Sequence, residues 1–122
     1  MRIAVCDNNA ATAAQIGRWI EQYCALYELK LYAVKCFTDP TVFQQTGETF
    51  DIAFLGFGGG AGFMAAQQLR ARDRRCRIIL MDDTQEYAVR GMRIHCTNFL
   101  LRPVEFRHIV QSMQLASRGR IT

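Results

Sequence analysis

Five short apolar runs alternate with five longer stretches along the chain, and this alternation constrains the fold more than any other feature. The runs have the length of β-strands, whereas the stretches have the length and the apolar spacing of amphipathic helices. In the first stretch, Ala13, Ile16, Ile20 and Tyr23 recur every three or four residues. The pattern therefore predicts a chain of five βα units.

Apolar runs, glycines and prolines set the expected bounds of these units. The predicted strands are residues 2–6, 31–37, 51–55, 77–81 and 97–101. The predicted helices are about 10–27, 40–47, 62–72, 84–91 and a last helix marked by Phe106, Ile109, Val110 and Met113. Because βα crossovers are right-handed and do not cross, we predict an α/β flavodoxin-like fold. Its doubly wound parallel sheet has the order 2-1-3-4-5, with five helices in a three-layer sandwich.

The length of 122 residues fits one domain, which we assign to residues 1–117, with 118–122 as a tail or the start of a linker. No apolar run approaches the roughly 18 residues of a transmembrane helix, so we expect a cytoplasmic chain without membrane contact. The five cysteines are odd in number and widely spaced. They predict reduced core thiols instead of a disulfide framework or a zinc site.

Much of the net charge of +4 comes from one short arginine-rich segment. Its members are Arg70, Arg72, Arg74, Arg75 and Arg77, interrupted by Asp73. The segment ends a predicted helix, where cations interact favourably with the helix dipole, and no aromatic residue is interleaved for base stacking. We therefore expect no direct nucleic-acid binding by this domain.

In a sheet of this kind, ligands bind beyond the carboxyl ends of the strands. The polar or conformationally special residues at those ends are Asp7, Asn8, Gly56, Asp82, Asp83, Arg102 and Pro103. Together with the segments RIAVCD (2–7), FDIAFL (50–55), EYAVRG (86–91) and NFLLRP (98–103), they make the chain from Met1 to about Ser117 resemble receiver domains of bacterial response regulators. The resemblance is to the kind that precedes LytTR DNA-binding domains.

In that family, an aspartate at the end of strand three accepts a phosphoryl group, and magnesium is held by that aspartate and an acidic pair after strand one. Here the acceptor position is Gly56, which has no carboxylate to act as a nucleophile, and the acidic pair is reduced to Asp7 and Asn8. Asp82 replaces a hydroxyl residue and would repel phosphate. The resemblance therefore implies a degenerate receiver, or pseudo-receiver, without a cofactor and with its magnesium site lost.

Arg102 stands where the family has a lysine before Pro103. A guanidinium can fork between two acceptors in a way that a lysine ammonium cannot. We predict that Arg102 closes the emptied pocket by pairing with Asp82, Asp7 or both.

The resemblance implies a signalling module that acts by protein contact. Such a module regulates an attached or partner output module, which we expect to serve transcription. The resemblance also implies that the domain is not an enzyme. The expected surface for a protein partner or homodimer is the face of helix four, strand five and helix five. The candidate residues there are Tyr87, Arg90, Met92, Arg93 and His95. A DNA-binding output domain would follow residue 122. Phe99 matches the family's rotameric switch aromatic, with a plain core aromatic as the equal alternative.

Other interpretations stay open. Asp82 or Asp83 is a possible substitute phosphoacceptor, and the glycine-rich loop 56–60 is a possible site for a small anion or nucleotide, although it lacks the Lys-Ser/Thr ending of a P-loop. Asp7 is also an ordinary turn or capping residue type, and at least one of Asp82 and Asp83 is expected to cap helix four. His95 and His108 lack partners at metal-ligand spacing.

Overall fold

The computed structural model describes residues 1–117, and the predicted tail at 118–122 lies outside the described residues. Five parallel strands form one sheet in the order β2-β1-β3-β4-β5, which confirms the predicted topology. The strands are β1 Arg2–Asp7, β2 Ala33–Phe37, β3 Ile52–Gly56, β4 Arg77–Asp82 and β5 Asn98–Leu101. The helices are α1 Ala10–Leu26, α2 Pro40–Gln45, α3 Gly59–Arg72, α4 Ala88–Arg93 and α5 Phe106–Ser117.

The three inner strands are buried almost along their whole length because helices cover both faces of the sheet. Successive strand residues point to opposite faces. Ile3 and Val5 belong to the core layer under α1 and α5, whereas Ala4 and Cys6 belong to the layer under α2 and α3. Two apolar layers, one on each face of the sheet, thus fix the position of the strand ends at which the candidate site lies.

Two predicted helix starts are wrong. Helix α3 begins at Gly59 instead of 62, and α4 begins at Ala88 instead of 84. Residues 84–87 form a bend followed by a turn, and the Ala88 amide donates to the Gln85 carbonyl at 3.0 Å. Strand β2 begins at Ala33, two residues later than predicted. The start of α2 follows its local signals, because the Asp39 side chain accepts from the Thr41 amide at 2.8 Å.

The cysteines are free thiols. Cys6, Cys24 and Cys76 are buried as predicted, and burial raises the pKa of the Cys76 thiol to about 12. Cys96 is half-buried, and desolvation raises its pKa to about 11. The prediction of a core position is wrong for Cys36, which is exposed because β2 is an edge strand with an incomplete helical cover. Among residues 1–117, no helix has the length and apolar character needed to span a membrane.

Candidate functional site

The carboxyl ends of β1, β3, β4 and β5 bring the predicted strand-end residues together. Asp7 lies opposite Gly56 in the β1–β3 register, and the Arg102 amide donates to the Asp82 carbonyl at 2.9 Å. Asp7 and Asp82 are 5% and 6% exposed, although carboxylates are seldom buried unless they are paired or hydrogen-bonded. The partners of these two side chains therefore define what the site can do.

The guanidinium of Arg102 lies at the carboxyl ends of β1 and β3. Its Nη2 donates to Asp7 Oδ2 at 2.7 Å and to the Gly56 carbonyl oxygen at 2.5 Å. Its Nη1 lies 3.6 Å from Asp83 Oδ1, on a side chain that is 77% exposed. The predicted ion pair is thus present with Asp7. Because the Asp7 and Arg102 side chains are only 7% and 21% exposed, water screens this charge-assisted hydrogen bond weakly.

Gly56 permits this close approach. A Cβ atom at position 56 would lie 2.6 Å from Arg102 Nη2, 2.8 Å from Met81 Cε and 2.9 Å from the Cys6 carbonyl oxygen. These separations are below the van der Waals contact of a real Cβ, and one of the three atoms belongs to the backbone. An aspartate at position 56 and the observed position of Arg102 therefore exclude one another. The glycine at position 56 and the position of the Arg102 guanidinium are sterically coupled.

Asp82 has other partners than Arg102. Its Oδ2 accepts from the Gly59 amide at 3.0 Å, and its Oδ1 accepts from the Asp83 amide at 2.7 Å. No ion pair between residues of 1–117 joins Arg102 to Asp82, so of the two predicted acceptors only Asp7 pairs with the guanidinium. The carboxylate is directed to the first turn of α3, whose Gly58 N-cap offers no side chain.

The expectation that Asp82 or Asp83 caps α4 is also wrong. Helix α4 starts at Ala88, and its N-cap residue Tyr87 makes no side-chain capping hydrogen bond. Asp82 instead serves the amino end of α3 from the end of a neighbouring strand. A carboxylate at this end of a helix also interacts favourably with the helix dipole.

Asp7 and Asn8 both hold loops in place. Asp7 Oδ1 accepts from the Asn9 amide at 2.9 Å, so Asp7 is a turn residue as well as the partner of Arg102. The Asn8 side-chain amide donates to the Phe57 carbonyl at 2.7 Å and ties the β1–α1 loop to the β3–α3 loop. Asn9 caps α1 by accepting from the Thr12 amide at 3.0 Å. We did not predict this cap, although an asparagine before an amphipathic run is its usual signal.

The loop between β3 and α3 is shorter than the glycine-rich loop 56–60 that the sequence predicts. Only Phe57 and Gly58 separate β3 from α3, and Phe57 is buried. Gly58 and Gly59 have φ values of 82° and 60°, a region that favours glycine. The Gly59 amide, which an anion-cradling loop would offer to its ligand, donates to Asp82.

The two histidines and Pro103 lie in the connections on either side of β5 and at the start of α5. His108 Nδ1 accepts from the Glu105 amide at 2.9 Å at the start of α5. His95 is exposed with a φ of 61° in the α4–β5 connection. The Arg102–Pro103 peptide bond is cis. Within residues 1–117, no group of three His, Cys, Asp or Glu side chains is arranged to hold a metal ion.

The five candidate partner residues differ in their exposure. Met92 is 73% exposed, and Arg93 is also exposed. Tyr87 is half-buried and stacks on Phe63 with ring centroids 5.3 Å apart. The exposed Arg90 lies over both rings, at 5.4 Å from the Phe63 centroid. Tyr87 and Arg90 therefore also pack α4 against α3.

The same face carries apolar side chains that the sequence analysis did not select. Val89 is 62% exposed and Leu101 is 43% exposed. Val89 precedes Met92 by three residues on α4, which is the spacing that places two side chains on one helix face. Phe99 is half-buried and packs against the core layer under α3, so in this structure it is a core-edge aromatic.

Comparison with solved structures identifies neighbours of the same architecture. The response regulatory domain of MrkE from Klebsiella pneumoniae has a TM-score of 0.78 at 16% identity, over 96% of this chain and 95% of that chain. The non-phosphorylated HemR receiver domain from Leptospira biflexa has a TM-score of 0.78 at 15% identity, over 98% and 96% of the two chains. The response regulator TrrA from Thermotoga maritima, in complex with Mg²⁺-BeF, has a TM-score of 0.68 at 15% identity, over 94% and 97%.

No protein-family model matches the chain, and no curated protein sequence matches it. The resemblance is therefore one of structure, and it extends over nearly the whole chain. The chain has the fold of the receiver domains of response regulators.

Proposed function

We propose that this chain is a degenerate receiver domain that carries no phosphoryl group at the end of β3 and acts in signal transduction through protein contacts. The observation that carries the proposal is the position of Arg102, whose guanidinium is hydrogen-bonded to both Asp7 and the Gly56 carbonyl. The site thus holds a protein cation against an aspartate and lacks a carboxylate nucleophile at position 56. A domain of this kind transmits a state by contact, and we propose no enzymatic activity for it.

Magnesium does not fit the donor set of this site. One neighbouring fold, TrrA, was solved with Mg²⁺-BeF. Magnesium requires several oxygen ligands in near-octahedral geometry. Here Asp7 Oδ2 and the Gly56 carbonyl oxygen lie at the carboxyl ends of β1 and β3, and both accept a hydrogen bond from Arg102 Nη2. We therefore propose that the family's metal site is lost and that no cofactor is required.

The proposed partner surface is the α4–β5–α5 face. Met92, Val89 and Leu101 expose apolar area there, and the exposed Arg93 adds a charge beside them. Apolar side chains with a polar rim are typical of protein contact sites. We propose that a protein partner or a second copy binds this face, in a cytoplasmic pathway whose output is transcription. LytTR-type DNA binding is the proposed form of that output.

A substitute phosphoacceptor is the competing proposal, and only one carboxylate is accessible enough for it. Asp82 is buried and accepts two backbone hydrogen bonds, whereas Asp83 is exposed at 3.6 Å from the Arg102 guanidinium. The experiment must therefore separate these two residues.

The test is incubation of the intact chain with a small phosphodonor and magnesium, followed by intact-mass measurement at neutral pH. The expected result is an unchanged mass for the wild-type chain. An ordinary receiver with its aspartate serves as the positive control under the same conditions. A stoichiometric gain of one phosphoryl group that is lost in Asp83→Asn but kept in Asp82→Asn would replace the proposal with phosphorylation at Asp83.

A further inference from the structure

A second charged region lies at the amino ends of the strands, on the side of the sheet opposite to the candidate site, where α3 ends and β4 begins. Arg74, Arg75 and Arg77 line two adjacent open clefts there. Arg2 and Arg72 complete the larger cleft, which has a volume of about 890 Å³. We call these five residues the arginine cluster.

The smaller cleft, of about 510 Å³, adds Arg70 and His95 to the shared arginines. The guanidinium of Arg70 donates to four backbone carbonyls, those of Asp73, Cys76, Ile94 and His95. These bonds hold the guanidinium in place without neutralising it, because no carboxylate is among its acceptors. Arg70 therefore supports the turn and adds a fixed positive charge beside the cluster.

Carboxylates compensate part of the cluster, because Arg2 is ion-paired with Glu48 and both Asp51 and Asp73 line the larger cleft. Asp73 Oδ1 accepts from the Arg75 and Cys76 amides, and this carboxylate holds the turn together. The ion pairs between residues of 1–117 include none with Arg72, Arg74 or Arg75. All three are exposed. Arg72 lies over the Phe43 ring at 5.5 Å from its centroid. Exposed guanidinium groups such as those of Arg74 and Arg75 present forked donors that match carboxylate geometry.

We propose that the arginine cluster is a docking surface for an acidic segment of a partner protein, rich in Asp and Glu. Charge complementarity supplies the attraction, and the two clefts flanking Arg74, Arg75 and Arg77 offer recesses for carboxylate side chains. Nucleic acid fits less well. Neither cleft carries an exposed Phe, Tyr or Trp ring for base stacking, since Phe50 in the larger cleft is buried.

The test is fluorescence anisotropy of the intact chain with a labelled peptide of alternating glutamate and serine. The double substitution Arg74→Glu and Arg75→Glu is expected to weaken binding about tenfold or more, which corresponds to about 1.4 kcal/mol. A matched control, Arg18→Glu with Arg107→Glu, changes the net charge equally on exposed positions of α1 and α5. It is expected to stay within about twofold of the wild type, because distant exposed charges are screened by salt.

The milder pair Arg74→Gln and Arg75→Gln, with circular dichroism of every variant, separates loss of docking from loss of folding. The proposal is overturned by an undetectable affinity of the wild-type chain, by equal binding of a glutamine-serine peptide, or by equal losses in the cluster and control variants. Tighter binding of a labelled DNA duplex than of the acidic peptide would assign the surface to nucleic acid instead. The outcome is independent of the phosphodonor experiment, because the two sites lie at opposite ends of the strands.

Discussion

Gly56 and Arg102 depend on each other at the scale of single residues. The guanidinium reaches the carboxyl end of β3 only because position 56 has no Cβ. Which residue types occupy the site could be predicted from the sequence, because parallel strands collect their carboxyl ends at one edge. The choice of Asp7 over Asp82 could not, since it depends on distances between side chains from three strands and on the capping role of Asp82.

The substitution Gly56→Ala is expected to destabilise the chain by about 1–3 kcal/mol, because its methyl group would overlap Arg102 Nη2 and the Cys6 carbonyl oxygen. Urea denaturation measures the change. Gly47→Ala is the matched control, since a Cβ at position 47 meets nothing within 4 Å. Equal stability of the two variants would contradict the steric coupling of Gly56 and Arg102.

The substitution Arg102→Met removes the guanidinium and leaves Asp7 buried without its charged partner. We expect a loss of about 1.5–3 kcal/mol at neutral pH, the usual range for hydrogen bonds to charged groups. Arg107→Met is the control, because the Arg107–Glu105 pair is exposed and such pairs contribute about 0–1 kcal/mol. A loss at Arg102 no larger than that at Arg107 would show that the buried pair is energetically unimportant.

At the scale of elements, α2 and α3 show what local sequence can and cannot specify. The start of α2 is encoded by neighbours, Asp39 as N-cap and Pro40 in the first turn. The start of α3 is encoded at a distance, because its capping carboxylate belongs to Asp82 at the end of β4. The sequence therefore predicts a start near Gly62, after the glycine-rich loop 56–60, whereas the helix begins at Gly59.

The substitution Asp82→Ala removes the acceptor at the amino end of α3 and is expected to cost about 0.5–2 kcal/mol, as loss of an N-cap does. Asp82→Asn keeps a side-chain oxygen and should cost less. Amide hydrogen exchange at residues 59–62 locates the effect, with faster exchange expected in the alanine variant. Unchanged exchange in this turn would mean that Asp82 does not stabilise it.

At the scale of the whole molecule, the alternation of apolar runs was sufficient to predict the topology. Inner strands must be apolar on both faces, and edge strands alternate, so the burial of each strand can be inferred from its composition. The exposure of Cys36 on edge strand β2 follows from the same principle, but the number of residues that α1 covers on that edge depends on tertiary packing.

Burial of thiols also makes the stability of the whole chain depend on pH. Desolvation raises the pKa of Cys76 to about 12 from an ordinary value of 9.0, so the folded chain keeps this proton after the unfolded chain has lost it. Stability is therefore complete below about pH 9 and declines as the pH rises further, by about 1.4 kcal/mol for this thiol at about pH 10. Urea denaturation at pH values on both sides of 9.0 measures the decline.

The variant Cys76→Ala should show a smaller decline than the wild type, whereas Cys36→Ala should change it less, because Cys36 is exposed. The sign follows from the neutral thiol being the form that the folded state favours. Stability that increased with pH above 9.0 would be incompatible with this assignment.

The Arg102 guanidinium engages the two oxygens, Asp7 Oδ2 and the Gly56 carbonyl oxygen, that a metal ion at this end of the sheet would need as open ligands. The most direct measurement is a backbone amide NMR titration of the intact chain with magnesium chloride, alone and with beryllofluoride. We predict no saturable shift at residues 7–8, 56–59 and 82–83 in either titration. A saturable shift confined to these residues would contradict the claim, because it would show that Asp7 and its neighbours still bind the ion.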